Sequence, residues 1–179
     1  MNIAVYCGSG CGNDPRFIEA ARTLGRWIGE NGHTLVYGGA GKGLMGELAD
    51  AVLKAGGRVI GVLPGIRLIQ ERKHIGLTEY IETSTMAERK TKMIELADAF
   101  AALPGGIGTL DEITEVMTLI SLGIIKGPVV LYDTDGYYQP LKSVLDNMIN
   151  KEFCRKEYFS DVLISEDIIE IAKHLTCRK

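Results

Sequence analysis

Long apolar runs are missing from this chain, and none approaches the roughly 20 residues a membrane-spanning helix needs. An excess of positive charge is missing too. Lys and Arg total 20 against 23 Asp and Glu, and the net charge of −3 leaves no electrostatic footprint for nucleic acid or an anionic membrane surface. An anionic ligand must therefore be held by local groups rather than by the overall field. Cys7, Cys11, Cys154 and Cys177 form no CxxC pair, and His33, His74 and His174 add no zinc-ligand spacing. No metal or cofactor is expected, and the cysteines fit reduced thiols in a cytoplasmic protein. The chain begins directly with the strand-like Asn2–Cys7, so no signal peptide is expected. No linker, repeat or low-complexity stretch divides residues 1–179, which suit one domain with a full hydrophobic core.

Strand and helix signals alternate throughout. Apolar runs predict strands at 2–7, 34–37, 58–63, 79–83, 98–103, 128–132 and 161–164. Helical periodicity predicts helices at 15–31, 43–56, 86–96, 110–122, 138–151 and 166–175. Asn13-Asp14-Pro15 is a helix start, and Gly32 and Gly56-Gly57 are helix stops. The strands are nearly continuous apolar runs, as in a sheet covered on both faces. The expectation is an α/β fold, a doubly wound parallel sheet flanked by helices in a single domain.

Ligands of such sheets bind beyond the carboxyl ends of strands, and here those ends carry glycine three times. The segments are Cys7-Gly8-Ser9-Gly10, Tyr37-Gly38-Gly39-Ala40-Gly41-Lys42-Gly43-Leu44-Met45-Gly46, and Pro104-Gly105-Gly106-Ile107-Gly108-Thr109-Leu110-Asp111-Glu112. The second contains a GxGxxG pattern. It follows the second strand rather than the first, and no acidic residue ends the next strand, Ile60-Gly61-Val62-Leu63, so a dinucleotide site is not expected. Lys42 is followed by Gly43, which excludes a P-loop. The third segment joins a strand to a helix start, where exposed backbone N–H groups favour phosphate.

Thr109-Leu110-Asp111-Glu112 also matches a capping box, which by itself would explain Thr109 and Glu112. It does not explain three glycines in four positions. On a helical wheel Glu112 lies beside Val116 and Leu119, off the Asp111/Glu115/Thr118 face, and a carboxylate among apolar residues needs a partner. In the preceding helix Glu88, Lys92 and Glu95 share a solvated face, whereas Arg89 and Lys90 flank Met86, Met93 and Ala97 on the apolar side. Two cations there call for an anion: a structural carboxylate, a bound phosphate or a partner subunit's carboxylate. Glu71 sits in an ordinary charge run with Arg72 and Lys73. Cys7 has no neighbour in sequence that would activate it as a nucleophile.

Pro-Gly-Gly-x-Gly-Thr-x-x-Glu at 104–112, together with Arg89-Lys90, resembles the Lonely Guy family of cytokinin riboside 5′-monophosphate phosphoribohydrolases, whose members are often mislabelled lysine decarboxylases. The likeness extends through Cys7-Gly8-Ser9, Tyr37-Gly38-Gly39, Gly43-Leu44-Met45-Gly46, Gly61-Val62-Leu63-Pro64 and Gly136-Tyr137-Tyr138. It implies a Rossmann-like fold, a homodimer and catalytic roles for Arg89 and Glu112. It implies substrate contacts at Glu71, Lys90, Gly106, Ile107, Gly108, Thr109, Leu110, Asp111 and Thr118, with Gly8, Ser9, Gly38, Gly39 and Met45 added from the matching loops. The chain departs from the family's usual residues at Gly10, at Ala40 and beside Thr118, positions that bear on the base side. The expected reaction is hydrolysis of the N-glycosidic bond of a purine nucleoside 5′-monophosphate, without metal, nucleic acid or membrane. The alternative is a non-catalytic carrier of a phosphorylated ligand such as molybdenum cofactor. Pyridoxal-dependent lysine decarboxylation is disfavoured, because no Schiff-base lysine context is recognisable.

Overall fold

A computed structural model describes residues 1–65 and 73–177. Its strands are β1 (Asn2–Tyr6), β2 (Thr34–Tyr37), β3 (Arg58–Pro64), β4 (Glu79–Thr83), β5 (Ala99–Ala102), β6 (Val129–Tyr132) and β7 (Val162–Ser165). Its helices are α1 (Pro15–Glu30), α2 (Gly43–Lys54), α3 (Met86–Leu96), α4 (Ile107–Ser121), α5 (Gln139–Asn150) and α6 (Ile168–Leu175). The strands form one seven-stranded sheet in the order β4-β3-β2-β1-β5-β6-β7, and every pairing is parallel. The expected doubly wound α/β domain is present. The chain reverses its direction of travel across the sheet at β1 and β5, so the switch-point crevice opens there.

The period-two alternation of β1 assigns its side chains to two cores. Ile3, Val5 and Cys7 join Leu24 and Ile28 of α1, Leu48 and Val52 of α2, and Ile171 of α6. Ala4 and Tyr6 join Met93 and Ile94 of α3 and Ile113, Val116 and Met117 of α4. Helix α1 starts as its sequence requires: Pro15 sits in the first turn and the Asp14 side chain accepts the Arg16 N–H at 2.8 Å.

Helix α4 starts three residues earlier than its periodicity suggests. Its N-cap is Gly106, not Thr109, and no side chain caps it. The capping box whose letters Thr109–Glu112 match is therefore not formed: Thr109 is buried in the first turn, and Glu112 pairs with Arg89 of α3. A reciprocal cap forms instead at α3, where Thr85 Oγ1 accepts the Glu88 N–H at 3.1 Å and Glu88 Oε2 accepts the Ser84 N–H at 2.7 Å. Among the described residues no helix is long and apolar enough to cross a membrane.

Candidate active site

Strands β2, β1 and β5 are adjacent, so their three glycine-bearing carboxyl-end loops meet. Backbone hydrogen bonds join them: Gly8 N–H to Pro104 O at 3.1 Å and Leu44 N–H to Gly10 O at 3.3 Å. The loops enclose a cleft of about 460 Å³. Gly8, Ser9, Gly38, Met45, Arg89, Gly106, Ile107, Gly108, Thr109 and Glu112 all line it.

The floor of the cleft is an ion pair. Arg89, in the first turns of α3, donates from Nη1 to Glu112 Oε1 at 2.6 Å and from Nε to Val62 O at 3.1 Å. The two side chains are 9% and 11% exposed. A pair this dry needs good geometry to offset desolvation, and the β3 carbonyl supplies a second fixed point. Gly38 makes the seat: a Cβ there would lie 2.2 Å from Arg89 Nη2. Among the described residues two of the five guanidinium N–H groups are engaged, and the others are open to a ligand. Burial raises the Glu112 carboxyl above its ordinary range, and the Arg89 charge works against that rise.

The N-terminus of α4, the helix that carries Glu112, lines the same cleft. With no side-chain cap, the first-turn amides of Ile107, Gly108 and Thr109 sit at the positive end of the helix. Gly106 and Gly108 have nothing within 4 Å of where a Cβ would be, so the backbone is approachable there. Gly105 serves packing instead: a Cβ would lie 2.1 Å from Thr109 Oγ1. Two consecutive tyrosines pin this loop from behind. Tyr138 donates to Leu103 O at 2.8 Å and Tyr137 to Gly105 O at 2.5 Å.

Other expected site residues lie elsewhere in the chain's own structure. Lys90 points away from the cleft and binds Asp111 and Glu115, each at 2.9 Å, so it already has the carboxylate partners its position demanded. Leu110 is partly exposed beside them, and Thr118 is exposed, donating to Thr114 O at 2.8 Å. Gly39 takes a left-handed φ of 75° against the Leu63 side chain and lines no part of the cleft. Glu71 lies outside the described residues. Sequence reasoning missed Tyr6, Met86 and Met93 as lining residues and the tyrosine pair as a support. Met86 and Met93 were legible as the apolar side of α3, and Tyr6 as the last residue of a strand ending at the cleft. Cys7 also lines the cleft, and burial raises its thiol well above the ordinary range, so it is a poor nucleophile. Among the described residues no cluster of His, Cys, Asp or Glu could hold a metal ion.

Residues 45–175 match the family described as "possible lysine decarboxylase". A cytokinin riboside 5′-monophosphate phosphoribohydrolase of Rhodococcoides fascians is 42% identical over 168 residues, 93% of this chain and 85% of that protein. The rice enzyme of the same name (Oryza sativa subsp. japonica) is 44% identical over 155 residues, 87% of this chain and 64% of its own length. Among solved structures, the molybdenum cofactor binding protein of Rippkaea orientalis superposes with a TM-score of 0.73 at 26% identity, covering 98% of this chain and 97% of that one. A molybdenum cofactor carrier protein of Chlamydomonas reinhardtii shares the fold, with a TM-score of 0.72 at 24% identity over 97% of this chain and 96% of its own. The site geometry, the family match and the identity to the two phosphoribohydrolases agree: the chain belongs to the Lonely Guy family of cytokinin riboside 5′-monophosphate phosphoribohydrolases.

Proposed function

We propose that the chain hydrolyses the N-glycosidic bond of a purine nucleoside 5′-monophosphate, a cytokinin riboside or adenosine monophosphate, releasing free base and ribose 5-phosphate. The observation that carries this reading is that the buried Arg89–Glu112 pair and an uncapped, glycine-rich helix N-terminus line one cleft. The Gly106–Thr109 amides take the 5′-phosphate. That anchors the ribose beside the ion pair. Breaking the C1′–N bond leaves an electron pair on the base and positive charge on the sugar. Glu112 stabilises that cation or orients the water whose oxygen bonds C1′, as carboxylates do in sugar hydrolysis. Arg89 fixes the ligand and steadies the developing negative charge with its unused N–H groups.

The test is chromatography of purified protein incubated with adenosine monophosphate and with isopentenyladenosine monophosphate. Free base establishes the reaction, and the ratio of rates sets base preference. The carrier reading is favoured by the name and 98% coverage of the Rippkaea orientalis neighbour. It predicts a raised melting temperature with nucleotide and no base released.

A homodimer with sites near its interface completes the proposal. Leu122 and Ile124, beyond the end of α4, are 66% and 65% exposed, so core burial does not account for them. Light scattering at micromolar concentration should show a dimer, and a monomer would overturn this part. Four free cysteines suit a reducing compartment and support a cytoplasmic location.

A further inference from the structure

Tyr6 ends β1 at the centre of the sheet and sits on the α3–α4 side. Its hydroxyl is shut off from solvent and, among the described residues, has no hydrogen-bond partner. Leaving a buried hydroxyl unpaired costs about 1–3 kcal/mol, and protein interiors rarely tolerate it. Phenylalanine would fill the same space without that penalty. The hydroxyl is also not in purely apolar surroundings. Tyr6 lines the cleft with Arg89 and Glu112, and of the charges acting on its phenol the Glu112 carboxylate is the strongest. Burial, reinforced by Glu112, holds the phenol protonated beyond its ordinary range, so it is a hydrogen-bond donor at any working pH.

Glu112 Oε1 accepts from Arg89. A carboxylate can accept about four hydrogen bonds. A ligand that draws the guanidinium to itself leaves Glu112 short of a donor in a dry place. Among the described residues, the titratable and charged groups that interact electrostatically with Glu112 are Tyr6 of β1 and Cys7 just after it, Arg89 and Lys90 from α3, and Asp111 on its own helix, with Glu115 acting on Tyr6. Lys90 is engaged by Asp111 and Glu115, and a thiol is a weak donor. Tyr6 remains.

Resting on the hydrolase reading, we infer that Tyr6 is a positioning residue for Glu112: once ligand engages Arg89, the Tyr6 hydroxyl donates to the Glu112 carboxylate, keeping it ionised and aimed at the sugar. The contact belongs to the ligand-engaged arrangement, because while Arg89 is paired with Glu112 the Tyr6 hydroxyl makes no hydrogen bond to that carboxylate.

The test is Tyr6→Phe, assayed with adenosine monophosphate across pH beside the unaltered protein. The pH dependence of kcat reports the occupied enzyme and that of kcat/KM the free enzyme. The acid limb of kcat should move upward by about half a pH unit or more, the acid limb of kcat/KM should stay in place, and the melting temperature should hold or rise. A purely structural tyrosine gives a lowered melting temperature with neither limb moved. That result, or both limbs moving together, overturns the inference. Titrating the Glu112 carboxyl by carbon NMR with ribose 5-phosphate bound reads the same contact without turnover. Failure of the unaltered protein to release base would count against the hydrolase reading, while the titration still decides Tyr6. If Tyr6→Phe does not fold, fluorotyrosine at this position should move the kcat limb downward, and an unmoved limb is again fatal.

Discussion

The N-terminus of α2 and the N-terminus of α4 are written in similar letters. Each follows a strand, each is rich in glycine, and neither has a side-chain cap. Their glycines do different work. In α2, Gly43 takes a φ of 63° with its missing Cβ 2.2 Å from Ser9 O, and a Cβ on Gly46 would lie 2.7 Å from the Gly41 backbone. Those glycines let protein backbone approach protein backbone. In α4, Gly106 and Gly108 border open space, and the approach is left to a ligand. A GxGxxG pattern is thus spent on packing one loop against another, while a less famous run presents the amides. The pattern of glycines alone does not separate the two; what lies opposite each missing Cβ does.

Substitutions at the two helix starts should split fold from function. The largest effect belongs to Glu112→Gln in α4, which should lower kcat for base release by on the order of 10²–10⁴. Near-normal turnover by a folded Glu112→Gln protein would remove Glu112 from the chemistry. The intact enzyme should lose activity toward acid at a pH above the ordinary glutamate range of about 4.3, because burial raises the Glu112 carboxyl. The same rise means that Glu112 favours the folded state most at pH below its unfolded value, and that this contribution fades as pH climbs through the raised value.

Next in size, Gly43→Val in α2 should cost about 1–3 kcal/mol of stability, read from the denaturation midpoint, since it meets both a left-handed backbone and the Ser9 carbonyl. Gly108→Ala should do the reverse, raising stability by about 0.4–1 kcal/mol while the Michaelis constant for nucleotide rises. An unchanged Michaelis constant would put the phosphate elsewhere. The smallest effect is expected from Tyr137→Phe, about 0.5–1.5 kcal/mol for one hydrogen bond to Gly105 O, seen as a modest rise in the Michaelis constant.

Element order and type were legible because strands covered on both faces are continuous apolar runs and the helices are strongly periodic. The convergence of the glycine loops followed from that topology, since β2, β1 and β5 are neighbours. The start of α4 was not legible, because Thr109–Glu112 satisfies the letters of a capping box while the helix begins at an uncapped glycine. The wheel placed Arg89, Lys90 and Glu112 where carboxylates and cations need partners. It could not tell that α3 and α4 present Arg89 to Glu112 and Lys90 to Asp111 and Glu115, because that depends on how two helices flank β5. The orphaned hydroxyl of Tyr6 is invisible to any local pattern, since it is defined by what is absent in three dimensions.

The Arg89–Glu112 contact joins residues 23 apart, and the strand that separates them in sequence, β5, pairs with β1 near the chain's start. In the folded chain the two side chains flank β5, which is slotted in beside β1, a closure between the first and middle parts of the chain. Pairing between distant parts of a chain slows folding, because loop-closure entropy is paid before the contacts reward it. Catalysis is thereby tied to a finished sheet: a partly assembled chain holds helices and glycine loops but no working pair. Return of base release during refolding should lag the return of helical signal and coincide with completion of the sheet.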